Sequence, residues 1–217
     1  MLVSATYKLK ESKNVTNTFS LLYDGYQYGY LNGYSYNRYS YIFSRNITND
    51  PSASRLGNLI YVPASRQELN NWDFKDNGKV DGEVYTADMQ RDDFWTFIQQ
   101  DDYLKNRTGQ YAERGGAKMP WHHQLDFKYM RSMSVNWGKT KHTLQLGLDI
   151  ENLLNFLCKD WGLYKEVTGN TLLTYDTKTN QYTYNLVNGA RHLSTTQNYE
   201  STASTYRIQF TIRYLFN

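Results

Sequence analysis

The chain has 217 residues and a formal net charge of +3, enough length for one large or two small domains and too little charge to predict a nucleic-acid partner. Its single cysteine, Cys158, excludes an internal disulfide. Tyrosine alone supplies 21 residues, which is typical of strands, membrane interfaces and ligand-contacting loops. The mean hydropathy of -0.75 favours a soluble protein, although strands that alternate polar and apolar residues lower this average in membrane proteins too.

The N-terminal residues predict that the chain opens inside a strand. Val3, Ala5, Tyr7 and Leu9 alternate with polar residues, and neither the basic nor the apolar region of a signal peptide is present. No apolar run is long enough for a transmembrane helix. We expect from this beginning that the chain is the C-terminal part of a longer protein.

Alternating residues predict five long strands, at about 2–9, 16–30, 121–135, 141–152 and 206–216. The last is the clearest, because Arg207, Gln209, Thr211 and Arg213 occupy one face and the other is apolar: Tyr206, Ile208, Phe210, Ile212, Tyr214 and Phe216. Arg131 interrupts the apolar face of the third strand. A charge there is expected to face lipid near the inner headgroups, at a cost of roughly 0–1 kcal/mol.

The connections between these strands alternate between short and long. Short turns near 10–14 and 136–140 separate two long excursions, at about 31–120 and 156–203. Outer-membrane barrels have short periplasmic turns and long surface loops in this order. The sequence therefore predicts an all-β fold, an antiparallel transmembrane β-barrel segment with two long extracellular loops. An open five-strand sheet would leave unpaired backbone groups in lipid, so a larger barrel is expected.

Three local patterns lie in the first long excursion. The residues from Asp88 to Leu104 predict a short helix with Phe94, Phe97 and Ile98 on one side. Asn77-Gly78 predicts a hairpin turn, and a calcium loop is excluded because Lys75 and Val84 would occupy carboxylate positions. A tyrosine cluster predicts an aromatic girdle at the membrane interface, with ligand stacking as the alternative: Tyr23, Tyr26, Tyr28, Tyr30, Tyr34, Tyr36, Tyr39 and Tyr41.

Motifs for catalysis or metal binding are missing from the sequence. It has no G-x-S-x-G elbow, no P-loop and no pair of histidines or cysteines at ligand spacing, so we expect no enzyme, no cofactor and no metal. An outer-membrane lipase or protease is the remaining enzymatic alternative.

For ligand binding we predict Trp95, Tyr103, Arg107 and Arg114, which combine aromatic rings and forked donors in the long excursion. The alternative is that these four pack and form ion pairs that hold the loop closed.

Several short segments, taken together, resemble the C-terminal barrel of TonB-dependent outer-membrane receptors, particularly the Oar-like group common in Bacteroidetes. They run in order along the chain: Tyr34-Ser-Tyr36, Tyr39 to Ser44, Asn58 to Pro63, Phe97-Ile98, Asp102 to Leu104, Arg107 to Arg114, Met119-Pro-Trp121, Asp126, Asp149 to Asn155, Lys159 to Gly162 and the terminal strand. The resemblance implies a 22-stranded barrel of which residues 1–217 form the last five strands, filled by a plug domain that this chain lacks.

The resemblance also implies a function and a set of partners. Such a receptor lies in the outer membrane of a Gram-negative cell, binds a ligand at the cell surface and imports it with proton-motive force relayed by TonB through the plug. The expected partners are outer-membrane lipid, the remaining strands and plug, and an unknown small-molecule, glycan or peptide ligand. Two alternatives stay open: a soluble aromatic-rich carbohydrate-binding or surface-adhesion module, and a structural barrel or adhesin without energised transport.

Overall fold

The computed structural model describes residues 1–44, 47 and 57–217, which form mostly antiparallel β-strands with few helices, as the all-β prediction requires. The strands in chain order are β1 (Leu2–Ser12), β2 (Val15–Gln27), β3 (Gly29–Leu31), β4 (Tyr34–Tyr36), β5 (Arg38–Tyr39), β6 (Ile42–Phe43), β7 (Tyr61–Val62), β8 (Lys79–Val80), β9 (Glu83–Val84), β10 (Gln110–Tyr111), β11 (Ala117–Lys118), β12 (Trp121–Trp137), β13 (Thr140–Glu151), β14 (Lys165–Val167), β15 (Thr171–Asp176), β16 (Gln181–Tyr184), β17 (Thr196–Asn198) and β18 (Arg207–Phe216). The α-helices are α1 (Ala87–Gln100) and α2 (Leu153–Leu157), and 3-10 turns occur at Glu68–Asn71, Leu104–Asn106 and Thr202–Ser204. In the described part of the chain, no helix combines the length and the apolar character that a membrane span requires.

The chain divides into two units. The sheet unit comprises Met1–Gln27, Trp121–Tyr164 and Asn198–Asn217, and the loop unit comprises Tyr28–Pro120 and Lys165–Gln197. The five predicted strands form one sheet of the sheet unit, in the order β1-β2-β12-β13-β18, with every neighbouring pair antiparallel. Within the described residues this sheet is open, with β1 and β18 at its edges. The many short strands of the loop unit were not expected.

The register of the five long strands aligns their apolar residues into continuous rows. Residues paired directly across antiparallel strands project to the same face. One face therefore carries the rows Ala5-Leu21-Phe127-Ile150-Ile208 and Tyr7-Phe19-Tyr129-Leu148-Phe210. The opposite face carries the row Thr6-Ser20-Lys128-Asp149-Gln209, in which Lys128 and Asp149 form an ion pair of 2.9 Å. We call the first face the apolar wall and the second the polar wall.

The outer strands of the apolar wall carry exposed side chains, and those of the central strands are exposed or half-buried. Phe210 and Ile212 are 79% and 77% accessible, and Tyr7 is 63% accessible. By contrast, every buried hydrophobic residue among those that the structure describes lies in the loop unit. The sheet unit therefore has no hydrophobic core of its own in the described residues.

One polar cluster interrupts the apolar wall. Arg131 pairs with Glu11 through an Nη1 to Oε2 distance of 2.9 Å, and Asn17 donates to Glu11 at 3.1 Å. The Tyr129 hydroxyl donates to Asn17 Oδ1 at 2.8 Å. Arg131, which we expected from the sequence to be a single charge near the inner headgroups, is thus neutralised by a carboxylate of β1.

Both long excursions leave and re-enter the sheet unit at neighbouring residues. The first begins after Gln27 and ends before Trp121, and these two residues are directly paired in the β2–β12 ladder. The second begins after Tyr164, whose carbonyl oxygen accepts a hydrogen bond of 2.9 Å from the amide of Tyr199. The ends of each excursion are therefore closed by backbone hydrogen bonds of the sheet unit.

The loop unit has a hydrophobic core built around α1. Phe94, Phe97 and Ile98 are fully buried, as predicted. Residues from both excursions surround them, including Tyr41, Ile60, Leu69, Leu104, Leu172, Leu173 and Tyr184. The helix begins where the Thr86 side chain accepts a hydrogen bond from the Met89 amide, and it ends at Gln100, four residues before the predicted end. Asp101 ends it by accepting from the amides of Tyr103 and Leu104.

Two finer predictions for this region are corrected. The hairpin turn lies at Asp81-Gly82, between β8 and β9, because these two residues adopt the positive φ angles of +54° and +87° that a tight hairpin requires. It is therefore four residues beyond the predicted Asn77-Gly78. Tyr39 and Tyr41 are buried in the core of the loop unit, so these two members of the tyrosine cluster do not contribute to an interfacial girdle.

Candidate functional site

Trp95 and Tyr103, two of the four residues predicted to contact ligand, pack against the core of the loop unit. The Tyr103 ring is stacked with Tyr41 at a centroid distance of 6.4 Å, and its hydroxyl accepts a hydrogen bond of 2.6 Å from the Glu113 amide. Neither ring is fully exposed. The contacts of Tyr103 agree with the alternative of a packing role.

Arg107, the third residue, is part of a local ion pair. It pairs with Glu113 at 3.1 Å and donates to the Tyr111 carbonyl oxygen at 2.9 Å. Its buried Nε atom has no hydrogen-bond acceptor among the described residues. These contacts tie the 3-10 turn at Leu104–Asn106 to the segment that follows, which is the loop-holding role considered as the alternative.

Arg114, the fourth residue, lines a cavity of about 360 Å³ in the loop unit. The apolar and aromatic part of the lining comes from Leu31, Tyr36, Tyr39, Ile42 and Leu59. The polar part comes from Arg38, Ser40, Arg114 and Asn170, with backbone from Gly57 and Gly115. Of the four predicted residues only Arg114 belongs to this lining, so the structure does not assemble them into one site.

Arg38 is the residue of this cavity that sequence reasoning missed. It lies on β5, which pairs with β11 so that Arg38 opposes Lys118. Its Nη1 atom donates to the Gly115 carbonyl oxygen at 3.4 Å, which places the Arg38 side chain beside the turn that carries Arg114. The two residues are distant in sequence, and no local pattern relates them.

Hydrogen bonds hold the turn that presents Arg114. Gly115 adopts a φ of +61°, a left-handed conformation that favours glycine. Its amide donates to the Ser40 hydroxyl at 2.7 Å. The Ser40 carbonyl oxygen in turn accepts from the Asn170 side chain at 2.8 Å, so residues of both excursions fix the cavity wall.

No carboxylate of the described residues compensates the charges of Arg38 and Arg114. Every other described arginine of the loop unit has an acidic partner, in the pairs Arg66–Asp92, Arg91–Asp88, Arg107–Glu113 and Arg191–Asp93. Among the described residues, neither Arg38 nor Arg114 forms an ion pair, and no Asp or Glu lines the cavity. The described lining therefore combines two positively charged side chains with mostly apolar residues.

Two buried carboxylates join the two excursions. Asp93, on α1, accepts from Tyr85 Oη at 2.7 Å and from Arg191 Nε at 2.7 Å, and Arg191 Nη2 binds its second oxygen. Asp101 accepts from Tyr41 Oη at 2.6 Å and from Thr195 Oγ1 at 2.9 Å. Residues 191 and 195 belong to the second excursion, so these contacts make one folded unit from the two predicted loops.

Burial shifts the pKa values of groups in this core. Burial raises the pKa of the Tyr41 hydroxyl well above its ordinary value, with the neighbouring Tyr39 and Asp101 adding to the effect. Burial lowers the pKa of His192 to about 4. His192 lies edge-on to Phe97 at 4.6 Å and its Nε2 atom is 2.8 Å from the Thr168 hydroxyl. At neutral pH, Tyr41 and His192 are therefore uncharged members of this core.

Across the part of the chain that the structure describes, no three histidine, cysteine or carboxylate side chains converge as metal ligands would. No protein-family model, curated protein or solved structure matches the chain.

Proposed function

We propose that the chain is a barrel-wall segment of a TonB-dependent receptor in the Gram-negative outer membrane, with the loop unit contributing to ligand binding at the cell surface. In this proposal the apolar wall faces lipid and the polar wall faces the lumen. The receptor imports its ligand with proton-motive force relayed by TonB through a plug domain. The imported compound belongs to the small-molecule, glycan or peptide classes.

The observation that carries the proposal is the exposed apolar wall. A five-stranded sheet whose apolar rows run through all five strands, with Phe210 and Ile212 more than three-quarters accessible, would be covered by a second layer in a soluble protein. None of the described residues in these rows is buried. Lipid is the surrounding in which such a wall needs no protein cover.

The sheet edges support the larger barrel. β1 and β18 are both edge strands, and an edge strand in hydrocarbon leaves N–H and C=O groups unpaired at several kcal/mol each. Closure with further strands removes that cost. The short turns after β1 and after β12, together with the long excursions after β2 and after β13, match the periplasmic and surface sides of an outer-membrane barrel.

The solution behaviour of the chain tests the proposal. The isolated 217-residue chain should require detergent or lipid to stay dispersed, because the apolar wall and both edges would otherwise associate. The proposal is contradicted if the chain is monodisperse in detergent-free buffer and unfolds cooperatively on heating.

Two labelling positions test the orientation of the walls. Leu146 and Gln145 are neighbours on β13 and lie on opposite walls. In a Cys158→Ser background, spin labels at Leu146→Cys and Gln145→Cys should differ in their accessibility to paramagnetic reagents when the protein is in the outer membrane. The label at position 146 should relax faster in the presence of oxygen, which concentrates in lipid. The label at position 145 should relax faster in the presence of a water-soluble nickel complex. Equal accessibility of both labels to the nickel complex would contradict a lipid-facing wall.

A second candidate function is a soluble carbohydrate-binding or adhesion module, favoured by the separate hydrophobic core of the loop unit. A unit with its own core and cavity has the parts that a binding module requires. The detergent-free experiment separates the two candidates, since a soluble module predicts the monodisperse outcome.

A further inference from the structure

We propose that the cavity lined by Arg38 and Arg114 binds a ligand that joins an oxyanion group, a carboxylate or a sulfonate, to an apolar body. The proposal deepens the proposed function, on which its role in uptake rests, by naming the chemical class of the ligand. The cavity itself exists in the loop unit whatever surrounds the sheet unit.

The size and lining of the cavity suit a small organic ligand. Its volume of about 360 Å³ is near the lower end of small-molecule sites, which span roughly 300–1,000 Å³. Leu31 and Tyr39 are buried at 6% and 7% accessibility and provide fixed apolar surface, whereas the Tyr36 side chain is 44% accessible. An apolar or ring-shaped body would gain contacts with this surface.

The charge of the cavity selects an anion. Two arginines line it and neither has a carboxylate partner among the described residues, while the other four described arginines of the loop unit are paired. Guanidinium groups bind planar oxyanions through two parallel hydrogen bonds, and such charge-assisted bonds are among the strong ones in proteins. A cationic ligand is disfavoured because the described lining residues include two arginines and no carboxylate.

Backbone pairing and hydrogen bonds position the two segments that carry the arginines. Arg38 is set by the β5–β11 pair and Arg114 by the turn at Gly115, whose amide is bonded to the Ser40 hydroxyl. Asn170 anchors the Ser40 backbone from the second excursion. A preformed wall lowers the ordering cost of binding, so the two arginines can discriminate between a charged and a neutral ligand.

The test uses the full 217-residue chain in detergent and three probes that share one body: 4-(trifluoromethyl)benzoate, the corresponding benzenesulfonate and the neutral benzamide. Dissociation constants are measured by ¹⁹F NMR titration. The chain should bind the benzoate or the sulfonate at least about tenfold more tightly than the amide, in line with the worth of charge-assisted hydrogen bonds. The amide reports the partition of the common body into detergent.

Substitutions assign the preference to the two arginines. Arg38→Gln/Arg114→Gln should bind the anionic probes no more tightly than the amide. Arg38→Lys/Arg114→Lys keeps the charge and should retain part of the preference, which guards against a general loss of folding. Lys79→Gln, an exposed cation on β8 outside the cavity lining, should change no dissociation constant.

The proposal is overturned if the unmodified chain binds anionic and neutral probes equally, or if the double glutamine variant keeps the preference. These outcomes are independent of membrane location. If the chain needs lipid or detergent to stay dispersed but binds anionic and neutral probes equally, only the anion site is refuted. If the chain is soluble without detergent and binds the anionic probes more tightly, the receptor proposal is refuted and the anion site is supported.

Discussion

The hydroxyl of Tyr41 donates a 2.6 Å hydrogen bond to Oδ2 of Asp101, and both side chains are buried. Tyr41 lies before α1 and Asp101 directly after it, so the bond ties the end of the helix to the first strands of the loop unit. A buried carboxylate is costly unless all of its hydrogen-bond positions are used. Asp101 meets this requirement with Tyr41, Thr195 and two backbone amides.

Tyr41→Phe should therefore destabilise the loop unit by about 1.5–3 kcal/mol, because it removes a donor from a buried charged acceptor. Native-state hydrogen exchange should show faster exchange of the Leu104 amide, which is bonded to the same carboxylate. Tyr34→Phe is the matched control, since its ring is 70% exposed. Equal exchange in both variants would refute this role of Tyr41.

Breaking the Asp93–Arg191 pair should cost more than breaking an exposed pair. Asp93 is 1% accessible, and Arg191 is its cationic partner from the second excursion. The Arg191 side chain is 41% accessible, which weakens the pair by solvent screening. Arg191→Gln nevertheless leaves the carboxylate buried with Tyr85 as its remaining side-chain donor, so we expect a loss of about 1.5–3 kcal/mol in urea denaturation. Arg66→Gln breaks the Arg66–Asp92 pair, whose aspartate side chain is 66% accessible, and should cost less than about 1 kcal/mol.

His192 should make the loop unit less stable as the pH falls. Its pKa is about 4 in the folded protein and near 6.5 when unfolded, so between these values the unfolded chain binds an additional proton. Stability is complete above about pH 6.5 and decreases by about 1.4 kcal/mol per pH unit as the pH falls towards 4. His192→Phe should remove this slope in urea denaturations at several pH values, and His142→Gln, in the sheet unit, should leave it unchanged. A slope that persists in His192→Phe would assign the dependence elsewhere.

On the apolar wall, removing one member of the Glu11–Arg131 pair should be worse than removing both. Glu11→Leu leaves the arginine without its carboxylate partner on the apolar wall, which faces lipid in the proposed receptor, whereas Glu11→Leu/Arg131→Leu extends the apolar rows. We expect the single variant to reduce the amount of protein in the outer-membrane fraction and the double variant to restore it. A double variant that is poorer than the single one would indicate that the ion pair itself is required.

The predictable parts of the fold are those with a local repeat. Tyr206 to Phe216 alternate at every residue, and Phe94, Phe97 and Ile98 follow the period of a helix, so the strand and the helix could be assigned from sequence. The alternation also defines which residues share a wall, because strand pairing preserves it.

The unpredicted parts depend on contacts between distant residues. Asp93 meets Arg191 across 98 positions, and Arg38 meets Gly115 across 77. Neither pairing follows a sequence period. Because charged side chains and backbone carbonyl groups occur throughout the chain, the sequence does not indicate which of them will meet. For this reason the two long excursions were expected as separate loops, although they share one core, and Arg38 was missed while its cavity neighbour Arg114 was selected on position alone.

Because the ends of each excursion are paired, residues can be inserted or exchanged within an excursion at little cost to the sheet unit. Since Gln27 faces Trp121 in the ladder and Tyr199 bonds to Tyr164, the sheet unit already holds each pair of ends together. Lengthening or exchanging the intervening residues then adds little to the entropy of loop closure and leaves the alignment of the strands unchanged. The sheet unit can thus serve as a constant frame for excursions of different size, and in the proposed receptor such exchanges would alter the ligand-binding surface while the barrel wall stays the same.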